Sequence, residues 1–261
     1  MTARPPHPAA ETAPPRDAVT LRLRALDTSV LIRLGGDRAG EFAGQLGPLW
    51  ARCGPGPASA SATVGWDTAA DARPAADQPE LTRQVTLALI EAQVGKLLML
   101  HAGAVCHPGT GEAIAYAAPG GTGKTTLTRL LATRMGYLTD ETVGVRADGS
   151  VAAYPKPLSV RSGPHHKREH GPDELGLLPA HPEPRLRRLV LLRRDGGPLR
   201  VERLGLTDAI LALAPETSSL DRLPRPLHRL AGLYDEVGGI VRYSYGEAAE
   251  VAEHIWAEFG C

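Results

Sequence analysis

Cysteine is scarce in this chain of 261 residues. The three cysteines, Cys53, Cys106 and Cys261, lie far apart in the sequence and include no C-x-x-C pair. An odd number of isolated cysteines argues against a disulfide scaffold and against a zinc centre, because both use paired or closely spaced thiols. The sequence therefore predicts a protein of the reducing cytoplasm whose thiols are small core side chains.

A net charge is absent as well. Lys and Arg number 29, and so do Asp and Glu, which gives a formal net charge of zero. Without an overall field of one sign, neither nucleic acid nor an anionic membrane is expected as a partner. No apolar run reaches the ~20 residues that would span a bilayer. The first residues, MTARPPHPAAETAPPRDA, contain no apolar run of the signal-peptide kind, so a cytoplasmic location is expected.

The chain does contain the pattern of two folded units. Hydrophobic residues make up 43% of it, which is enough for a sizeable core. Residues 1–18 are rich in Pro and Ala and predict a disordered tail. Residues 19–70 alternate strand-like and helix-like segments, from VTLRLRAL to ATVGWD, and predict a small α+β lobe. The Pro- and Ala-rich residues 71–80 are expected to link this lobe to a larger domain, residues 81–261.

The larger domain has the pattern of an α/β unit. LTRQVTLALIEAQVGK predicts an amphipathic helix at its start, and LLMLHAGAV is typical of a strand covered on both faces. EAIAYAA predicts a second strand that leads into a glycine-rich loop, and LTRLLATRM predicts the helix after that loop. Residues 161–185 are polar and rich in Pro and His, and they predict a mobile loop with a short helical piece.

The segment AAPGGTGKTT has the pattern of a phosphate-binding loop. Its glycines let consecutive backbone N–H groups turn inward around a β-phosphate, and the helix that begins at Lys124 adds its positive end. Lys124 would reach the β- and γ-phosphate oxygens, and Thr125 would offer its hydroxyl to Mg²⁺. Ala118 stands at the first glycine position of the G-x-x-x-x-G-K-[ST] pattern. The alternative is a glycine-rich turn without a ligand. We assign ATP to Gly120, Gly121, Thr122, Gly123, Lys124, Thr125 and Thr126.

An acidic pair follows this loop in GYLTDET. Asp140 and Glu141 end a short apolar stretch, where a triphosphate site needs a carboxylate to hold Mg²⁺ or its water shell. Adjacent residues on a strand point to opposite faces, so one of the two is expected to face the phosphates unless the chain turns there. The alternative is a polar turn between two strands.

Several basic residues are further candidates. His101, near the end of LLMLHAG, would lie beside the loop strand and bond a phosphate or assist proton transfer, or else be a structural histidine. Lys156 and Arg161 could contact the γ-phosphate or an acidic substrate, although solvated side chains are favoured on sequence alone.

A histidine-rich segment, HHKREH, also invites a metal site, but nothing completes the ligand set of His165, His166 and His170. A cationic lid over the phosphates is the preferred interpretation. Arg193 and Arg194 close a predicted strand and are either anion contacts or its solvated end.

The ordered set of HAG on a strand, a strand running into GGTGKTT, a strand ending in TDE, and YPKPLSVR resembles the HPr kinase/phosphorylase-like P-loop proteins. It looks most like their short relatives associated with the biosynthesis of lasso peptides. The similarity covers about residues 80 to 200 of the chain. It implies an α/β P-loop domain related to phosphoenolpyruvate carboxykinase, here with a small N-terminal α+β lobe. Subunits of that family assemble, which leaves a homo-oligomer open for this chain.

The resemblance also implies roles for residues. It gives phosphate binding to Gly120–Lys124, Mg²⁺ ligation to Thr125, a place beside the transferred phosphate to His101, and the metal contact and catalytic base to Asp140 and Glu141. The family's usual two aspartates are an Asp–Glu pair here, which leaves the identity of the base open. Its glutamate-arginine-glycine signature is not found after the pair, so the reverse phosphorylase reaction is not implied.

Together these features predict an ATP- and Mg²⁺-dependent kinase. It would transfer the γ-phosphoryl group to a hydroxyl, a serine of a peptide or small protein, with a ribosomally made precursor peptide as the implied substrate. Asp140 is the first choice to accept the hydroxyl proton, while Lys124 neutralises charge on the phosphoryl oxygens. Two alternatives are a kinase for a small metabolite such as free serine and a nucleotide-dependent switch or assembly module.

Overall fold

The computed structural model describes residues 18–57, 59–68, 74–161 and 167–261. The predicted tail lies outside this part of the chain except for its last residue, so its disorder stays a prediction. No helix among the described residues combines the length and the apolar character needed to cross a membrane.

The first unit is a small sheet covered by helices. Its elements agree with the predicted α+β pattern: β1 (Val19–Ala25), β2 (Thr28–Gly35), α1 (Ala39–Leu49) and β3 (Ala62–Asp67). β1 and β2 pair antiparallel across Leu26 and Asp27, whose φ angles of 46° and 56° are those of a tight hairpin turn. β2 and β3 run parallel, so the chain must cross back over the sheet between them, and α1 lies in that crossing.

The long helix α2 (Pro74–Gln93) packs on this small sheet. We expected residues 71–80 to be a linker and the following helix to open the larger domain. Instead the helix starts within that stretch and contacts β2 and β3. The physical reason is an apolar stripe: Leu81, Val85 and Leu89 recur at helical spacing and are fully buried in the core of the small sheet.

The larger unit is a mixed sheet with helices on both faces. Its strands are β4 (Leu98–Cys106), β5 (Glu112–Ala117), β6 (Gly136–Thr139), β7 (Thr142–Val145), β8 (Val151–Ala152), β9 (Leu158–Arg161), β10 (Lys167–His170), β11 (Leu178–Pro179), β12 (Arg185–Arg194), β13 (Arg200–Arg203), β14 (Thr217–Ser218) and β15 (Val241–Tyr245). Its helices are α3 (Lys124–Leu131), α4 (Leu206–Leu213), α5 (Pro226–Glu236) and α6 (Ala248–Phe259). The main sheet has the order β11-β6-β4-β5-β12-β15-β13, and β7 and β14 pair with the first half of β4. β9 and β10 form a separate two-stranded sheet.

Side chains on β5 alternate between two cores. Ala113, Ala115 and Ala117 are buried on the side of α4 and α5, whereas Ile114 and Tyr116 are buried on the side of α3 and α6. Burial on both faces is what an almost wholly apolar strand requires. β5 leads directly into the glycine-rich loop and then into α3, in the order that the sequence predicts.

Residues 161–185 differ from the expected mobile loop with a short helical piece. In their described part, β10 completes an antiparallel hairpin with β9, and β11 adds a short strand parallel to β6. β10 packs against α2, and its Glu169 is only 2% exposed. The polar composition conceals this hairpin because only every second residue of a strand has to face the protein.

Candidate functional site

A glycine-rich turn, residues 118–123, connects β5 to α3. Gly121 and Gly123 have φ angles of 83° and 109°, in the left-handed region where a side chain is strained. Thr122 fastens the turn by donating its hydroxyl hydrogen to the Pro119 carbonyl oxygen over 2.8 Å. No described side chain caps the start of α3, so its first N–H groups are available to an anion.

Tyr245, the last residue of β15, forms a hydrogen bond to the backbone of this turn. Its hydroxyl donates to the Thr122 carbonyl oxygen over 2.9 Å, and the residue is 1% exposed. The sequence gives no signal for this role, because a tyrosine at the end of an apolar strand has the pattern of an ordinary core aromatic. The contact depends on the fold, which brings the last strand next to the loop.

Lys124, the first residue of α3, is buried along the turn. Its ammonium donates to the carbonyl oxygens of Ala118 and, over 3.3 Å, of Pro119. Burial lowers the pKa of Lys124, while the negative charges of nearby carboxylates, Glu216 first among them, oppose that shift. The ammonium therefore lies within the loop to which the sequence assigns phosphate binding.

Asp140 follows β6 directly and reaches the same turn. Thr125 donates its hydroxyl hydrogen to Asp140 Oδ2 over 2.8 Å, and the Tyr137 hydroxyl donates to Asp140 Oδ1 over 3.3 Å. Asp140 is 5% exposed, so its carboxylate is held by protein donors rather than by bulk water. The fold thus joins two of the residues that the sequence predicts as metal ligands.

The chain turns immediately after β6, and this brings both acids to one side. Thr139 Oγ1 accepts the backbone N–H groups of Glu141 and Thr142 over 3.2 and 3.3 Å, which forms a side-chain-closed turn. On a continuing strand the two acids would face opposite ways. Here Asp140 and Glu141 line the same cavity. The sequence predicts that only one acid faces the phosphates unless the chain turns after the strand, and the structure has that turn.

Lys156 bridges the two acids. Its Nζ lies 3.0 Å from Asp140 Oδ1 and 3.2 Å from Glu141 Oε2, and it donates to the Pro157 carbonyl oxygen over 2.9 Å. Its side chain is 4% exposed, so the solvated lysine favoured on sequence alone is wrong. Burial lowers the pKa of Lys156, but the two adjacent carboxylates more than offset this, and the pKa is raised overall.

His101 lies on β4 where that strand passes the acidic turn. The backbone N–H of Ala102 donates to the Glu141 carbonyl oxygen over 3.1 Å, and the His101 side chain lines the cavity. Burial, and next the positive charge of Lys124, lower the pKa of His101, whereas Glu216 and Glu141 oppose this. A neutral imidazole in this position can accept or relay a proton.

These groups meet at one cavity of about 520 Å³. Among the predicted site residues, the cavity brings together His101, Gly120, Gly121, Gly123, Lys124, Thr125, Thr126, Asp140, Glu141 and Lys156. Sequence reasoning gave no role to three others that line it, Arg129 on α3 and Ser159 and Val160 on β9. Arg194, one of two open candidates at the end of β12, also lines the cavity and donates from Nε to the Gly246 carbonyl oxygen over 3.1 Å.

Three of the other candidate residues stay predictions, and a fourth, His170, does not line the cavity. The side chain of Arg161 lies outside the described residues, and so do His165 and His166. His170 is described, and its Nδ1 lies 2.8 Å from Glu174 Oε1. Within the part of the chain that the structure covers, no group of three or more His, Cys, Asp or Glu side chains could hold a metal ion.

The oxygen atoms of the cavity nevertheless fit a magnesium ion that is shared with phosphates. The Thr125 hydroxyl and the carboxylates of Asp140 and Glu141 are hard ligands of the type that Mg²⁺ prefers. They are too few to enclose the ion, which suits Mg²⁺ because it keeps several waters and is completed by substrate phosphates. When bound, such an ion would neutralise charge on the β- and γ-phosphate oxygens.

Comparison with known proteins gives a distant likeness. No family model matches the chain, and no curated protein matches it. Among solved structures, the chain is similar to the Hpr(Ser) kinase/phosphatase from Coxiella burnetii, at 10% sequence identity over 61% of this chain and 97% of that chain, with a TM-score of 0.34. Values this low establish neither the family nor the activity, and they lend no support to a link with lasso peptides.

Proposed function

We propose that the protein is an ATP- and Mg²⁺-dependent kinase that transfers the γ-phosphoryl group to the hydroxyl of a serine in a peptide or small protein. One observation carries this proposal: the glycine turn with Lys124, the metal-type ligands Thr125 and Asp140, and a further carboxylate all line one cavity. A phosphate-binding turn alone would suit a binding protein. A second carboxylate beside the metal ligand supplies a place for the proton of an attacking hydroxyl.

Binding of the triphosphate is assigned to the turn and to Lys124. The Lys124 ammonium donates to the carbonyl oxygens of Ala118 and Pro119. It would exchange these acceptors for β- and γ-phosphate oxygens when a triphosphate binds. The N–H groups at the start of α3, which no described side chain caps, would bind the same anion. In the transition state these fixed donors stabilise the charge that develops on the phosphoryl oxygens.

The hydrogen bonds favour Glu141, rather than Asp140, as the proton acceptor. Both carboxylate oxygens of Asp140 accept hydrogen bonds, one of them from Thr125, which suits a ligand on the metal side. The Glu141 side chain is 34% exposed and contacts the protein through Lys156, so it is the more accessible to an acceptor. This assignment replaces the first choice made from the sequence. We assign to His101 a role beside the transferred phosphoryl group, because it lines the cavity and burial lowers its pKa.

The acceptor is assigned by the resemblance of the motifs, which favours a serine in a ribosomally made peptide over a small metabolite. The decisive test is phosphoryl transfer itself. The protein would be mixed with ATP, Mg²⁺ and either serine-containing peptides, including a precursor peptide encoded beside its gene, or free serine. Mass spectrometry should detect the gain of one phosphate on a peptide and none on free serine.

Two controls define what the outcome means. Lys124→Ala should abolish transfer, whereas Lys96→Ala, which changes an exposed lysine away from the cavity, should leave it intact. Phosphorylation of free serine alone would establish the metabolite kinase instead. Hydrolysis of ATP without a phosphorylated product from any hydroxyl acceptor would overturn the kinase proposal and indicate a nucleotide-dependent switch.

A further inference from the structure

The acid pair of the candidate site already contacts a cation that belongs to the protein. Lys156 Nζ lies 3.0 Å from Asp140 Oδ1 and 3.2 Å from Glu141 Oε2, and the side chains of Lys156 and Asp140 are each 4% exposed. The ammonium also donates to the Pro157 carbonyl oxygen over 2.9 Å, which fixes its position. This is a built contact in the interior, unlike an exposed ion pair of negligible strength.

We propose that Lys156 is a positioning residue that occupies part of the metal site. Its ammonium holds Asp140 and Glu141 together before a divalent ion binds, and it gives up its contact with Asp140 when the ion arrives. The inference rests on the metal site of the proposed function and adds a residue that regulates how tightly that site binds its ion.

The contacts of Asp140 are the first support for displacement of the Lys156 ammonium by a divalent ion. Oδ2 accepts the Thr125 hydroxyl, and Oδ1 faces both the Lys156 ammonium and the Tyr137 hydroxyl. A divalent ion that binds Asp140 through Oδ1 therefore meets two protein groups that already contact this oxygen. The ammonium is the donor that must move, because two cations on one carboxylate oxygen repel each other strongly in a site with little water.

A third carboxylate supplies a place for the displaced ammonium. Glu169 on β10 is 2% exposed and accepts a hydrogen bond from Ser159 through Oε1. Its other oxygen, Oε2, is buried without a hydrogen-bond donor among the described residues. Burial raises the pKa of Glu169, and the positive charge of Lys156 is the first influence that opposes this, so the two groups interact. A buried carboxylate oxygen without a donor is costly, which favours movement of Lys156 towards it.

Two substitutions should change metal affinity in opposite directions. Lys156→Met keeps an unbranched side chain, one atom shorter, and removes the competing charge. A divalent ion should therefore bind about tenfold more tightly or better, since a unit charge this close has a large effect in a part-buried site. Glu169→Gln should weaken binding several-fold, because Lys156 then has only the acid pair as its counter-charge. Lys156→Met should at the same time slow phosphoryl transfer, because the acid pair is no longer held.

The experiment is a titration of the full chain with Mn²⁺ in the absence of nucleotide, followed by the electron paramagnetic resonance signal of the free ion. Mn²⁺ accepts the same carboxylate and hydroxyl ligands as Mg²⁺. Arg168→Gln and Glu174→Gln are the matched controls. They remove a charge of the same sign as Lys156 and Glu169, respectively, from exposed positions on or just after β10, and they should bind Mn²⁺ like the wild type.

The possible outcomes separate this inference from the proposed function. A Lys156→Met protein that is folded by circular dichroism and binds Mn²⁺ no more tightly than the wild type overturns the inference. If that variant does not fold, Glu169→Gln decides, and unchanged or tighter binding of Mn²⁺ overturns it. Absence of phosphoryl transfer in the wild type contradicts the kinase proposal but leaves the Mn²⁺ comparison, and hence the inference, to be decided by itself.

Discussion

The Thr125 hydroxyl donates to Asp140 Oδ2 over 2.8 Å, and this bond joins the first turn of α3 to the acidic turn after β6. The two residues come from different elements, so the bond fixes the separation between the phosphate-binding loop and the acid pair. The other oxygen of Asp140 is contacted by Lys156 Nζ over 3.0 Å and by the Tyr137 hydroxyl over 3.3 Å. The ligand spacing of the proposed metal site is therefore set by the protein.

Removal of the Thr125 hydroxyl should weaken binding of ATP only when Mg²⁺ is present. Thr125→Val keeps the shape of the side chain, and the loss of one hydrogen bond to a charged group should reduce affinity by about tenfold to a hundredfold. Calorimetry with ATP in the presence of Mg²⁺ or of a chelator measures the difference. Thr133→Val, at an exposed position two residues after the end of α3, is the control. An equal loss with and without Mg²⁺ would contradict a role for Thr125 in holding the metal.

Tyr245 should influence nucleotide binding although it is buried behind the loop. Tyr245→Phe removes the hydroxyl that donates to the Thr122 carbonyl oxygen and leaves the aromatic ring in place. The expected loss is about 1 kcal/mol of unfolding free energy, with a several-fold weaker affinity for ATP. Urea denaturation and calorimetry measure the two effects. Tyr234→Phe, which loses a similar hydroxyl bond to Leu204, should lower stability without changing nucleotide affinity.

Local sequence pattern was sufficient for much of this fold. The strand before the glycine loop, the helix after it and the three strands of the small sheet are all found where alternation and helical spacing predict them. The loop is predicted by its match to the G-x-x-x-x-G-K-[ST] pattern, and its glycines Gly121 and Gly123 adopt backbone angles that other residues rarely adopt. In each of these cases, the signal lies within a few consecutive residues.

Contacts between distant segments account for what the sequence did not predict. Lys156 has the local pattern of a solvated lysine, and its burial depends on an acid pair that precedes it by two strands. Glu169 belongs to a polar segment, and its burial depends on the packing of β10 against the distant helix α2. The same is true of Tyr245, which reaches Thr122 across the sheet. The pattern of a single sequence does not indicate which distant residues come into contact.

The glycine turn should tolerate a side chain at one of its glycines but not at another. Gly123→Ala places a side chain at a φ of 109°, which should cost about 1–2 kcal/mol and displace the start of α3. Gly120→Ala is the matched control for stability alone, because a Cβ at that position has no atom within 4 Å, whereas Gly120 itself is assigned to the phosphate-binding turn. Thermal unfolding and ATP affinity should both change for Gly123→Ala. Equal stability of the two variants would show that the left-handed backbone is not required.

His101 should make stability depend on pH near neutrality. Its pKa is lowered in the folded protein, so between that value and the ordinary value of 6.5 the unfolded chain binds more protons than the folded one. Stability is therefore fully present above about pH 6.5 and is lost as the pH falls towards the folded-state pKa. His101→Gln should reduce this loss. Urea midpoints of both proteins at neutral and mildly acidic pH measure it, and parallel pH profiles would contradict the assignment.

Neutralising Asp140 and neutralising Glu141 should impair different steps, nucleotide binding for Asp140 and phosphoryl transfer for Glu141. If Asp140 holds the metal with Thr125, Asp140→Asn should weaken binding of ATP in the presence of Mg²⁺ and lower the transfer rate with it. If Glu141 accepts the hydroxyl proton, Glu141→Gln should keep nucleotide affinity and slow the transfer step by about 10²–10⁴-fold. Calorimetry and single-turnover transfer separate binding from chemistry. The reverse pattern, with binding lost in Glu141→Gln and kept in Asp140→Asn, would exchange the two roles, because each carboxylate is identified by the step that its charge supports.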